Sequence, residues 1–220
     1  MPSTFRAAST VTLSCLLLAG CTSAPLDSSS PSGSGSSPAA SSGAGGAGRA
    51  IAVGAGPQKK YTVQQQPAAG TCHYRYEHGE PLEDPACTPG AISPAVTQAN
   101  LASTVCRKGG YTSGVRPSTY VTAQEKKLNA ASYGFTGSMG DAEYDHLISL
   151  QLGGDPNDAR NLWVEPADPG HRKGSGVNNL KDPVETKLHT AVCSGKVTLA
   201  AAQQAIATDW TTALSTLGLS

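Results

Sequence analysis

The chain has 220 residues, of which hydrophobic residues make up only 38%, and it contains 25 glycines and 15 prolines. This length accommodates one ordinary domain with appendages, and the composition implies that part of the chain contributes little to a core. Lys plus Arg and Asp plus Glu both total 16, so the formal net charge is zero, which excludes the general electrostatic attraction of a strongly basic nucleic-acid binder.

The first 20 residues are typical of an export signal. Arg6 precedes an apolar run from Val11 to Leu18, which is too short to span a bilayer as a mature helix. Leu18-Ala19-Gly20-Cys21 closes the run and resembles a bacterial lipobox, which implies lipidation of Cys21. An ordinary secretory signal with an incidental cysteine is the alternative. Either way we expect an extracytoplasmic protein, lipid-anchored to the outer face of the bacterial cell membrane or secreted.

Small and polar residues dominate the next segment. Ser, Gly, Ala and Pro prevail from Thr22 to about Gly70, a composition typical of a flexible linker. We therefore expect three parts. These are a lipoprotein signal peptide over residues 1–20, a lipidated Cys21 with a disordered linker to residue 70, and one folded domain over residues 71–220.

Four cysteines follow the signal, namely Cys72, Cys87, Cys106 and Cys193. An even number in an exported domain indicates two disulfides, and the absence of a Cys-x-x-Cys pair argues against a zinc knuckle. Three pairings are possible. We favour Cys72 with Cys87, which brackets a short hairpin-like segment, and Cys106 with Cys193, which ties two helix ends.

Helix start signals occur on both sides of the central region. Ser93-Pro94 offers a cap and a first-turn proline, Thr122 to Glu125 is typical of a capping box, and Asp182-Pro183 with Glu185 repeats the pattern. A final apolar stripe at helical spacing predicts a helix that packs on the core. The predicted helices cover residues 93–106, 122–132, 182–195 and 198–217.

Between the second and third helices, the pattern predicts a hairpin. Ile148, Leu150 and Leu152 alternate with polar residues, as in a half-buried strand. The cluster from Gly153 to Asn157 turns the chain back, and residues 161–164 form the second strand. The loop between the two strands is long.

Asp145-His146 on the first strand, Asn161 at the second and a helix after them resemble the ββα-metal core of HNH-type endonucleases. From Thr88-Pro89-Gly90 to Trp210 the chain is also similar to exported, HNH-related proteins of actinobacteria. The resemblance implies an α+β fold, in which a small ββα-metal core is surrounded by helices and stapled by two disulfides. It also implies a metal-dependent endonuclease that hydrolyses DNA or RNA outside the cytoplasm. We expect a monomer.

Such chemistry needs a base, a divalent cation and groups that fix their geometry. His146 is the candidate base, because an imidazole with a pKa of about 6.5 accepts a proton near neutral pH. Asp145 offers a hard oxygen to Mg²⁺ or Mn²⁺, with Zn²⁺ possible. By the resemblance, Asn161 orients the His146 ring through its side-chain amide.

The third histidine of the family is missing from its expected place. An asparagine substitutes in HNH variants, so Asn179, slightly ahead of Asn178, is the predicted helix-side metal ligand. Glu185 is a rival ligand but could equally cap its own helix. The predicted substrate contacts are Lys181, Arg172 and Lys173.

One geometric difficulty bears on this site. Adjacent residues on a regular strand point to opposite faces, so Asp145 and His146 share a site only if the pairing ends or bulges there. Glu143 has the parity of Asp145 and is a possible further acid. The missing histidine and the zero net charge support a second hypothesis, a catalytically incomplete HNH-like fold that acts as a cell-surface binding or envelope lipoprotein.

Overall fold

The computed structural model describes residues 50–177 and 179–219. The predicted signal peptide, Cys21 and most of the predicted linker lie outside these ranges, as does Asn178. Within them the fold is α+β, as expected, with two-stranded sheets beside helices. The strands are β1 (Ala52–Val53), β2 (Arg75–Glu77), β3 (Glu80–Leu82), β4 (Ala91–Ile92), β5 (Glu143–His146) and β6 (Leu162–Glu165), and the helices are α1 (Thr119–Ser132), α2 (Lys181–Cys193), α3 (Leu199–Thr208) and α4 (Ala213–Thr216).

The folded domain begins earlier than residue 71. β1 pairs in parallel with β4, and residues 54–66, which we call the N-terminal strap, continue across the domain. The hydroxyl of Tyr61 donates to the Val115 carbonyl at 2.6 Å, and the Gln64 N–H donates to Glu125 Oε1 at 2.7 Å. These contacts use mainly polar groups, so a composition poor in large apolar side chains concealed them.

The strap should therefore contribute to stability. We expect a protein that lacks residues 1–70 to unfold at a lower temperature than one that lacks residues 1–49. At about 1 kcal/mol per hydrogen bond, offset by the entropy of ordering, the loss is about 2 kcal/mol, or roughly 5 °C in Tm. Thermal unfolding followed by circular dichroism compares the two proteins. Equal Tm values would show that the strap does not stabilise the domain.

Both favoured disulfides form. Cys72 bonds Cys87 across 15 residues, and Cys106 bonds Cys193 across 87 residues. Disulfides persist in oxidising compartments, so the pair indicates a location outside the cytoplasm. Among residues 50–177 and 179–219, no helix combines the length and apolarity needed to cross a membrane.

The main core lies where α2 and α3 pack together. Leu188, Val192, Ile206 and Trp210 are buried in it, and the Trp210 indole donates to the Pro81 carbonyl at 3.0 Å. The predicted helix over 198–217 is interrupted there. The hydroxyls of Thr211 and Thr212 both donate to the Asp209 carboxylate, and the chain restarts as α4.

The predicted strand over 148–152 is wrong. The first strand of the hairpin is β5, and Leu150–Leu152 form a 3₁₀ turn. The reason is Asn161, whose Oδ1 accepts from the Ile148 N–H at 3.0 Å and whose Nδ2 donates to the Ile148 carbonyl at 3.0 Å. A side chain thus takes the backbone groups that a partner strand would need. The alternating apolar residues are buried in a turn instead.

Two predicted helices also differ in extent. Within residues 93–106 only Gln98–Ser103 is helical, as a 3₁₀ segment with a non-helical conformation at Asn100. The Asn100 side chain accepts from the Thr97 N–H at 2.8 Å, and this local bond competes with a continuous helix. α1 begins at Thr119, ahead of the predicted capping box.

α1 holds the hairpin of β5 and β6 in place. Asn129 Oδ1 accepts from the Val164 N–H at 2.7 Å, and its Nδ2 donates to the Leu162 carbonyl at 3.4 Å. These groups belong to the edge of β6 that no strand covers. The hairpin is therefore fixed between α1 and the segment that leads into α2.

Candidate functional site

The two faces of the hairpin carry different chemistry. Glu143 pairs with Glu165 and Asp145 with Trp163, in a regular antiparallel register that continues to His146. Directly paired residues share a face, and successive residues alternate. Glu143, Asp145 and Glu165, which we call the carboxylate face, therefore lie together, whereas His146 lies on the opposite face. The pairing shows no bulge at Asp145-His146, and β5 ends at His146.

A buried lysine covers the carboxylate face. The Lys181 ammonium donates to Asp145 Oδ2 at 2.6 Å and to the His146 carbonyl at 2.9 Å, and it also bonds Glu185. Burial alone would lower the pKa of Lys181, but Asp145, Glu185 and Glu165 outweigh it, so the pKa lies well above its ordinary value. With only 1% of its surface exposed, Lys181 cannot reach a phosphate in solvent. Its predicted role as a substrate contact is wrong for this conformation.

The predicted helix-side ligands are engaged elsewhere. Asn179 Oδ1 accepts from the Asp182 N–H at 3.0 Å and so caps α2, while its Nδ2 donates to Glu143 at 2.8 Å. Glu185 lies inside α2 and bonds Lys181 one turn before it. Neither side chain is free to serve as a ligand beside Asp145, and Glu185 does not cap its helix. Asn178 lies outside the described residues.

Glu165 was not predicted as a site residue. It is 1% exposed, and neither carboxylate oxygen has a hydrogen-bond partner among the described residues. Burial raises its pKa well above the ordinary value, and the charges of Asp145 and Glu143 raise it further. Such a group is costly unless a proton or a cation neutralises it. Only the register of the hairpin, which places Glu165 opposite Glu143, reveals this role.

His146 is held as a neutral ring in one tautomer. Its Nε2 lies 3.1 Å from the Pro156 carbonyl oxygen, which can only accept, so Nε2 carries the proton and Nδ1 holds the lone pair. No described residue bonds Nδ1. Burial lowers the pKa of His146 to about 4, despite the opposing charge of Asp145. The ring is thus an uncharged acceptor at neutral pH.

Asn161 positions His146 indirectly, through the loop that contains Pro156. Its side chain bonds Ile148 and donates to the Asp155 carbonyl at 3.1 Å, rather than bonding the imidazole as predicted. Asp155 directly precedes Pro156, so Asn161 stabilises the loop that presents the Pro156 carbonyl to the ring. It is a positioning residue.

The predicted phosphate-binding loop is a separate feature. Arg172 and Lys173 are exposed between β6 and α2, and no bond within the described part of the chain joins them to Asp145 or His146. Next to them His171 Nε2 lies 3.4 Å from Asp141 and 3.3 Å from the Ser175 hydroxyl. Both partners meet the same nitrogen, whereas a catalytic triad needs one at each nitrogen.

No protein-family model matches this chain, and no curated protein or solved structure matches it either. The resemblance to HNH-related proteins therefore stays a prediction.

A second set of ligand-type side chains lies at the end of α2. Ligand atoms of Cys106, His189 and Cys193 are all within 4.8 Å of one another, so this group could bind a metal ion. The two sulfurs are joined in a disulfide, and thiolates are the form that binds metals. Metal binding here would require reduction of the disulfide. Within the described ranges, the carboxylate face has no equally close set of three carboxylate or imidazole ligands.

Proposed function

We propose that the protein is a metal-dependent, HNH-like endonuclease that hydrolyses nucleic-acid phosphodiester bonds outside the cytoplasm, with His146 as general base. The observation that carries the proposal is the bond between His146 Nε2 and the Pro156 carbonyl. It fixes the tautomer in which Nδ1 holds the lone pair and can accept a proton. A base positioned in this way contributes about 100-fold to 10,000-fold to a reaction rate.

The donor set of the carboxylate face fits a hard cation. Among the described residues, none donates a hydrogen bond to Asp145 Oδ1 or to either carboxylate oxygen of Glu165. Oxygen ligands of this kind suit Mg²⁺ or Mn²⁺ better than Zn²⁺, which favours nitrogen and sulfur. Bound there, the cation would hold the phosphate and stabilise the leaving oxygen. Glu165 takes the place of Asn179 and Glu185 as the proposed partner of Asp145.

Lys181 has a positioning role in this proposal. Its ammonium neutralises Asp145 and Glu185 and binds the His146 carbonyl, so it keeps the two halves of the site in register. It leaves the carboxylate oxygens of Glu165 without a hydrogen-bond partner in the described part of the chain. A cation bound there would therefore neutralise Glu165, whereas Lys181 already neutralises Asp145 and Glu185.

The same lysine favours a second candidate function. If its ammonium permanently replaces the metal, and if the opposite faces of Asp145 and His146 prevent joint action, the fold is catalytically incomplete. The protein would then act as a cell-surface binding or envelope lipoprotein anchored through Cys21. Calorimetry distinguishes the candidates, because this one predicts no Mn²⁺ binding that depends on Asp145.

Cleavage assays test the proposed reaction. The purified protein should nick supercoiled plasmid or cut single-stranded DNA or RNA with Mg²⁺ or Mn²⁺, and EDTA should stop it. His146→Ala should lower the rate by about 100-fold or more, because the general base is lost. His73 is exposed, so His73→Ala is the matched control and should retain activity. Wild-type protein that cuts no nucleic acid with any divalent metal would refute the nuclease and favour the second candidate.

A further inference from the structure

A basic groove of about 640 Å³ lies between the N-terminal strap and the beginning of α1. Lys59 and Lys60 line it from the strap, and Arg116 lines it from the segment before α1. All three are exposed, and none forms a salt bridge with a described carboxylate. No acidic residue of the described ranges lines the groove.

The positive charge of this groove contrasts with the neutrality of the chain as a whole. The whole chain has zero formal net charge, so attraction to a polyanion depends on such a patch. At physiological salt, interactions between exposed charges are screened beyond about 8 Å. Three unpaired cations along one groove are therefore suited to direct contacts with successive phosphates.

Aromatic side chains accompany the cations. Tyr120 is 76% exposed and lines the groove together with Tyr61, whose hydroxyl is fixed on the Val115 carbonyl at 2.6 Å. An exposed ring beside unpaired cations is the arrangement on which unpaired bases stack. The groove has the volume of a small-molecule site, which suits an unpaired strand better than a duplex.

The groove is connected to His146 through the strap. Asp155 Oδ2 accepts from the Gly56 N–H at 2.6 Å, and Asn157 Nδ2 donates to the Thr62 carbonyl at 2.9 Å. Pro156, whose carbonyl holds the His146 ring, lies between these two anchors.

We propose that this groove binds single-stranded nucleic acid, with Lys59, Lys60 and Arg116 on the phosphates and Tyr120 stacked on a base. The groove then guides the strand toward His146. This last step rests on the proposed nuclease function, whereas binding itself does not.

Fluorescence anisotropy of the full chain in EDTA measures binding without cleavage. The probes are labelled oligothymidylate, an abasic strand of equal length and a duplex of equal length. Lys59→Ala/Lys60→Ala should weaken oligothymidylate binding about tenfold and flatten its salt dependence. Lys187→Ala/Lys196→Ala removes the same charge from exposed positions elsewhere and should change binding less than twofold. Tyr120→Ala should weaken binding of oligothymidylate but not of the abasic strand.

Each outcome decides for or against the groove. Equal effects of the two lysine pairs, or equal affinity for the abasic strand or the duplex, would overturn it. Binding that follows the expected pattern without any metal-dependent cleavage would uphold the groove and refute the nuclease. Cleavage that both Lys59→Ala/Lys60→Ala and Tyr120→Ala leave unchanged would refute the step that guides the strand toward His146 and leave the nuclease standing.

Discussion

Lys181→Met is expected to lower the free energy of unfolding by about 3 to 5 kcal/mol, the usual effect of removing one partner from a buried ion pair. The ammonium of Lys181 is bonded to Asp145 and Glu185, and methionine of similar length leaves both carboxylates without their cation. Urea denaturation at pH 8 measures the loss. Burial raises the pKa of Glu185 to about 7, so the loss should shrink as the pH falls below 7 and the Glu185 carboxylate becomes protonated.

Lys187→Met is the matched control on the same helix. Lys187 is exposed, and an exposed substitution of this kind changes stability by only about 0.5 kcal/mol. Divalent cations provide a second readout, because Mn²⁺ should raise the Tm of the Lys181→Met protein more than that of wild type. Equal stability of the two variants would show that Lys181 does not neutralise the carboxylates in solution.

Loss of the disulfide between Cys106 and Cys193 should destabilise the protein by about 4.5 kcal/mol in the chain-entropy model. The bond closes a loop of 87 residues that includes α1, the hairpin and α2. Cys106→Ala/Cys193→Ala measures the effect by thermal or urea unfolding. The shorter loop between Cys72 and Cys87 is the internal comparison, with an expected loss of about 3 kcal/mol. A smaller loss for the longer loop would contradict the entropic account.

The Cys106→Ala/Cys193→Ala variant also distinguishes the two candidate metal sites, which are the group at the end of α2 and the carboxylate face. Reduced wild-type protein can offer Cys106, His189 and Cys193 to a soft metal, whereas the double alanine variant cannot. Zn²⁺ should therefore stabilise the reduced wild type alone. Mn²⁺ should act equally on both proteins if it binds the carboxylate face.

The sequence predicted the features that depend on local spacing. The two disulfides follow from short-range bracketing of Cys72 with Cys87 and from helix ends near Cys106 and Cys193. α2 and β6 appear within one residue of the predicted starts, since caps and β-branched or aromatic residues mark them. The α+β class follows from the same signals.

The features that depend on distant partners could not be predicted. Alternating apolar residues at 148–152 suggested a strand, but a side chain 13 positions away, Asn161, bonds the backbone of Ile148. The burial of Lys181 depends on where β5 meets α2, and the role of Glu165 depends on strand register. The N-terminal strap was not predicted because amino-acid composition does not show which backbone groups form hydrogen bonds.

The most direct measurement is an anomalous difference map from crystals of the oxidised protein soaked in Mn²⁺. We predict a peak bonded by Asp145 and Glu165 on the carboxylate face. A peak at another site alone, or no peak with Glu165 still unpartnered, would contradict a metal-dependent nuclease.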